Sequence, residues 1–134
     1  MWTWTLVRFV HLAGAGVWLG MQVTLAVLVP ALRRMLPAEQ VRDVVRRSGR
    51  SLAIAGGGAL VAVAASGAAL ARHEDSAKTH SGVVDLKTGI LIAIVALLGG
   101  HAAVRGARAR IAASVLMLLL TLAAILAGAW LAES

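Results

Sequence analysis

Four long apolar stretches, separated by short connections rich in charge, dominate the pattern of this chain. They run from about residue 4 to 32, 52 to 71, 83 to 104 and 111 to 131. Each is long enough, as a helix, to cross a hydrocarbon core, which takes ~20 residues. None alternates polar and apolar positions as the strands of a small barrel would. A spanning segment must also satisfy its own backbone hydrogen bonds, which a helix does. The pattern predicts an all-α fold: an integral membrane four-helix bundle, a single domain over 1–134 with four transmembrane helices.

The polar positions between the stretches orient them. The first connection holds Arg33, Arg34, Arg42, Arg46, Arg47 and Arg50, and the third holds Arg105, Arg108 and Arg110. The second holds only Arg72 and Lys78, offset by Glu74 and Asp75. Basic residues concentrate on the cytoplasmic side of membrane proteins. The first and third connections are therefore expected inside, with both termini and the 72–82 loop outside, in a multi-pass protein of the inner (cytoplasmic) membrane. Trp2, Trp4 and Trp130 fit an aromatic belt at the outer interface. The first stretch does not read as a cleavable signal peptide, because no basic region precedes it and it carries Arg8 and His11.

Pro37 followed by Ala38-Glu39-Gln40 reads as a helix start with an acid in its first turn. Val41, Val44 and Val45 then fall on one side and the arginines on the other. This predicts a short amphipathic extension of the second helix, lying against anionic lipid headgroups. Gly16 and Gly20 form one small-residue step, and Gly58, Ala62 and Ser66 another, so close helix packing is expected there. The bilayer is the partner this pattern names, and it is compatible with a homo-oligomer. Nucleic acid is excluded, since no aromatics interleave the arginines.

Composition sharpens the picture by exclusion. Of 134 residues, 60% are hydrophobic and 14% charged, with a mean hydropathy of +0.85. That rules out a soluble enzyme, a disordered tail and a collagen-like chain. The chain has no cysteine, which excludes a disulfide scaffold, an iron–sulfur centre and a thiolate metal site. No paired carboxylates, nucleophile–base pair or phosphate loop can be found. Whether the chain is an enzyme stays open, and any catalysis would belong to a bound cofactor, as in a haem-dependent membrane oxidoreductase.

Ionisable groups inside the spans are the functional candidates, because they are costly there. They are Arg8, His11, Lys87 and His101. Arg8, His11, Ala15, Trp18 and Gln22 share one face of the first helix, with Gly16 and Gly20 opposite. The polar stripe and the close-packing stripe are therefore expected to be separate, with His11 facing something that is not merely a neighbouring backbone. Lys87 and His101 share a face of the third helix but lie about 21 Å apart along it. Counted from the inner boundary, His11 and Lys87 lie at similar depth in the outer half. His101 lies within roughly 6 Å of the inner edge. Two imidazoles on one iron must bring their nitrogens within about 4 Å, so His11 and His101 are not expected to clamp the same metal. His73 and His80 read as solvated loop residues, and Met21 and Met117 as packing residues.

A b-type haem is the leading cofactor on these residues. Imidazole is the commonest protein ligand to haem iron, and a four-helix bundle can enclose a flat apolar macrocycle. Trp18 is placed to pack on the ring or wall its cavity. Arg8, one turn nearer the outside, would pair with a propionate. Lys87 would serve the other propionate or bind iron as a neutral amine. The plainer alternatives are an interhelical hydrogen bond for His11, snorkelling for Lys87 and the membrane edge for His101.

His11-Leu-Ala-Gly-Ala-Gly-Val-Trp18-Leu-Gly20 resembles the first-helix motif of the copper-resistance D (CopD) domain, and that of the HemJ-type membrane protoporphyrinogen oxidases. Asp85-Leu-Lys87 resembles the third-helix lysine motif of the same families, and His101 after Leu-Gly-Gly resembles the histidine near the end of that helix in the HemJ group. The following stretch, Val27-Leu-Val-Pro30-Ala-Leu-Arg33-Arg34, lacks the aromatics of the HemJ pattern. The resemblance implies a four-helix membrane protein with His11 and Lys87 associated with b-type haem and electron transfer, donor and acceptor unknown. It implies, as the alternative, copper transport or resistance. A third alternative is an accessory bundle without a cofactor.

Overall fold

A computed structural model describes residues 2–73, 81–101 and 106–133. The fold is all-α. Four helices follow one another: α1 (Trp2–Met35), α2 (Ala38–His73), α3 (Ser81–His101) and α4 (Ala107–Glu133). All four contain windows long and apolar enough to span a membrane, with mean hydropathy from 1.8 to 2.5. Only 11 to 22% of each window is buried. The rest of the surface is apolar, with Leu6, Phe9, Leu12, Val61, Leu86, Ile92, Leu119 and Leu126 all exposed. A surface of that kind needs lipid rather than water as its solvent. The chain is a multi-pass membrane protein.

Two helices outrun their expected spans. α1 has 34 residues and α2 has 36, which is about 51 and 54 Å of helix against a ~30 Å hydrocarbon core. α1 continues through Pro30. The amphipathic segment after Pro37, expected as an extension of the second helix, is the first part of α2 and continues without a break into the span. The connection is two residues, 36–37. Pro37 O accepts from Gln40 N and Val41 N at 3.0 and 3.1 Å, while Leu36 N donates back to Leu32 O at 2.9 Å. Pro37 lacks an N–H and fixes its own φ, so it ends one helix and starts the next at little cost. α3 ends at His101, and the remaining residues of the expected third span, 102–104, lie outside those described. Gly106 precedes α4 and its carbonyl accepts from Arg110 N at 3.0 Å.

The chain divides into two compact units, Met1–Ser66 and Gly67–Ser134, with the division inside α2. In the first, α1 and α2 form an antiparallel hairpin. Its closest approach is at glycines. A side-chain carbon on Gly14 would lie 2.9 Å from Val63 Cγ2 and 3.1 Å from Ala59 O. One on Gly56 would lie 2.5 Å from Met21 Cε and 3.2 Å from Trp18 Cζ3. Each helix thus supplies a notch for the other. Gly16, Gly20 and Gly58 do not belong to this seam: they are exposed, with open space where a side chain would be. The expectation of packing at Gly16 and Gly20 is corrected to Gly14. The reason is rotational: the half-buried and buried positions Trp4, Val7, His11, Gly14, Trp18, Met21 and Leu25 repeat every three or four residues, which winds one stripe around α1 and leaves Gly16 and Gly20 off it.

In the second unit, α3 packs on α4. Ile90, Ile94 and Met117 are buried there, and so is Thr121. The Thr121 hydroxyl donates to Met117 O at 2.8 Å, so the buried polar group is satisfied within its own helix.

Candidate functional site

His11 is half-buried on the α1 seam. Its Nδ1 lies 3.0 Å from Val63 O and 3.1 Å from Ser66 Oγ, both on α2. The chemistry of these neighbours fixes the ring's tautomer. A backbone carbonyl can only accept. The Ser66 hydroxyl makes a short hydrogen bond to Ala62 O and lies 3.3 Å from Val63 O, so its proton is directed to its own helix. Towards the ring, Ser66 therefore accepts. Nδ1 must carry the hydrogen, and in the neutral ring Nε2 carries the lone pair. A carbonyl behind Nδ1 is the usual way a metal-binding imidazole is oriented and made more basic.

This geometry corrects one expectation. The polar and close-packing stripes of α1 coincide at His11, which shares the seam with Gly14 and faces both a backbone carbonyl and the Ser66 hydroxyl. Only small side chains let α1 and α2 come close enough for the ring to reach a carbonyl.

Trp18 is also on this seam, 4% exposed. Its ring packs over Gly56, with Met21 beside it. The ring is engaged with α2, and the notch at Gly56 locks the rotation of α1. Arg8, by contrast, is exposed. Gln22 is half-buried below Trp18.

Lys87 belongs to the second unit. It is half-buried on α3, with Nζ 3.3 Å from where a side-chain carbon on Gly128 of α4 would lie. Gly128 thus makes room for an ammonium group about 9 Å, or six residues, from the start of α3. His101 is the last residue of α3, and its side chain lies outside what is described. His73 is exposed at the end of α2, while His80 lies outside the described residues. Of the expected site residues, the structure brings Trp18 and His11 onto one seam with Ser66 and Val63, and leaves Arg8 off it. Among the described residues no group of three His, Asp or Glu side chains could hold a metal ion.

Three participants were not singled out from the sequence as parts of the site: the Val63 carbonyl, the Ser66 hydroxyl and Gly128. Ser66 carried a signal, as a hydroxyl in the middle of an apolar span, but its partner depends on the pairing of α1 with α2. No protein-family profile, curated protein or solved structure matches this chain. The likeness to the CopD and HemJ families therefore rests on the residues quoted for it.

Proposed function

We propose that this is a small membrane protein that binds b-type haem and serves a redox role, of the CopD/HemJ kind, with His11 Nε2 as an iron ligand. The reading is supported by one observation above all, the hydrogen bonding of His11 Nδ1 to Val63 O. It holds the imidazole in the tautomer and rotation that present Nε2 away from α2. The α1–α2 seam at this level has no room for a macrocycle, because Gly14 meets Ala59 and Val63 there. Haem would thus be met on the Nε2 side of the ring. When bound, it would supply one-electron chemistry. The protein's own residues would hold His11 in place, with Val63 and Ser66 increasing its donor strength. Arg8 and Lys87 are the cations that would pair with propionates, and His101 remains a candidate at the inner end. In this reading the arginine-rich connections face the cytoplasm and both termini face outward, as basic asymmetry requires.

The same clasp favours a second reading, a cofactor-free bundle in which His11 only ties α1 to α2. Copper bound at His11 is the remaining alternative. Protein purified in mild detergent from cells supplied with haem separates them. The proposal expects a Soret band that shifts on dithionite reduction and is abolished in His11→Ala. It also expects Ser66→Ala to keep the haem and raise its midpoint potential, since a ligand that has lost one acceptor on Nδ1–H donates less charge to iron. Colourless wild-type protein overturns haem binding. Metal analysis after copper loading then decides between copper and the cofactor-free clasp.

A further inference from the structure

The inner end of the α1–α2 hairpin contains a mismatch that neither helix shows alone. The pairing of His11 with Val63, Gly14 with Ala59 and Met21 with Gly56 sets the register of the hairpin. Both helices then run unbroken to the connection at 36–37. At the inner end of the hairpin the apolar boundaries of the two helices do not agree. On α2 the apolar face gives way to Arg50, which is about level with Leu25 of α1. On α1 the apolar face runs on to Arg33, about eight residues further, or roughly 12 Å.

The exposed side chains make this a surface property. At 100° per residue, Arg42, Arg46, Arg47 and Arg50 lie within an arc of about 140°, centred roughly 150° from the stripe that faces α1. All four are exposed. The same face continues into the span as Ile54 and Val61, exposed by 67% and 69%. It therefore changes from apolar to arginine within one helical turn. On α1, Val27 and Leu28 are exposed beyond that level, Val27 by 67%. From Trp4 to the level of Arg50 is about 31 Å, which fits a ~30 Å core; from Trp4 to Arg33 is about 43 Å, which does not. A flat inner boundary must either sink arginines into hydrocarbon or strand α1 apolar groups in water. Two acids, Glu39 and Asp43, share the arginine face, and Asp43 Oδ1 pairs with Arg46 at 3.0 Å in a solvated ion pair. Such a pair holds Arg46 only weakly.

We propose that Arg42, Arg46, Arg47 and Arg50 form a binding site for the headgroup phosphates of anionic phospholipids, drawn about two helical turns closer to the bilayer centre at α2 than at α1. Guanidinium groups bind phosphate oxygens through paired N–H donors, and the arginine side chains span much of the roughly 12 Å step. Each basic residue near an anionic surface adds to the attraction. The lipid acyl chains then cover Ile54 and Val61, while α1 keeps hydrocarbon around Val27 and Leu28.

The chain has no cysteine, so single labels report unambiguously. Spin labels on Leu28→Cys and Ser51→Cys, in the full chain reconstituted into phosphatidylcholine–phosphatidylglycerol vesicles, give depth from oxygen against nickel-complex accessibility. The proposal expects hydrocarbon at position 28 and headgroup polarity at position 51, although 51 is the nearer to the bilayer centre along the hairpin. Hydrocarbon at both positions, or water at 28, overturns it. In the same vesicles, wild-type protein should retain phosphatidylglycerol several-fold over its bulk share, and the Arg46→Gln/Arg47→Gln/Arg50→Gln variant should not. Unchanged retention in the variant overturns the site. Displacement of retained lipid by glycerol phosphate alone overturns the lipid assignment.

Discussion

The two helical units use their polar groups differently. In the unit that ends at Ser66, His11 of α1 reaches a carbonyl and a hydroxyl on α2. In the unit that begins at Gly67, the hydroxyls of Thr88, Ser114 and Thr121 donate to Val84, Arg110 and Met117 of their own helices. A hydrogen bond returned to its own helix neutralises a polar group but says nothing about the neighbour. One that crosses between helices is made in a single register. The first hairpin therefore has a specified pairing, reinforced by the Gly14 and Gly56 notches. In the second, α3 and α4 meet through Ile90, Ile94 and Met117, side chains that repack more freely because lipid is as apolar as they are.

The sharpest way to break this contrast is Trp18→Ala. It empties the notch at Gly56, and we expect a loss of about 3–5 kcal/mol in a denaturing-detergent titration, as for other buried large-to-small changes. A loss as small as that of an exposed residue would show that Trp18 does not pack the seam. Next comes Gly14→Leu, with an expected cost of about 1–3 kcal/mol from overpacking against Ala59 and Val63. Gly16→Leu, two residues away and facing open space, should stay within about 0.5 kcal/mol. Equal effects in the same titration would remove the register.

Smaller effects sharpen the comparison. A double-mutant cycle on His11→Leu and Ser66→Ala should give a coupling of about 0.6 kcal/mol, and at most about 1.7, the range for interhelical hydrogen bonds in lipid. Thr121→Val in the second unit should be a mild change, within about 0.5 kcal/mol, because the hydroxyl returns its hydrogen bond to Met117 O of its own helix. A cycle at Ser66 that is no larger than the Thr121 effect would erase the distinction between the units.

Much of the architecture can be read along the chain. Four apolar stretches of membrane length are visible without any knowledge of contacts, because hydropathy sums over single residues. His11 stands out for the same reason, as an ionisable group within an apolar stretch. Its partner is not. Gly14 and Gly16 are both small residues near His11, and only the winding of the seam around α1 separates them. Trp18 reads equally well as a wall for a ring or as a plug for a notch until Gly56 is seen opposite it. Lys87 reads as a lone cation until Gly128 is found to make room for it.

The division has a simple physical origin. Composition, span length and the asymmetry of basic residues depend on where each residue lies along one helix, so the order of the amino acids alone determined that this is a four-span, all-α membrane protein. Hydrogen-bond partners, the protonated nitrogen of His11 and the step between the arginine levels of α1 and α2 depend on how far one helix slides along another. Several registers of such small-residue helices preserve the same hydropathy. Only the packed hairpin, with its crossing at Gly14 and its clasp at Ser66, selects one of them.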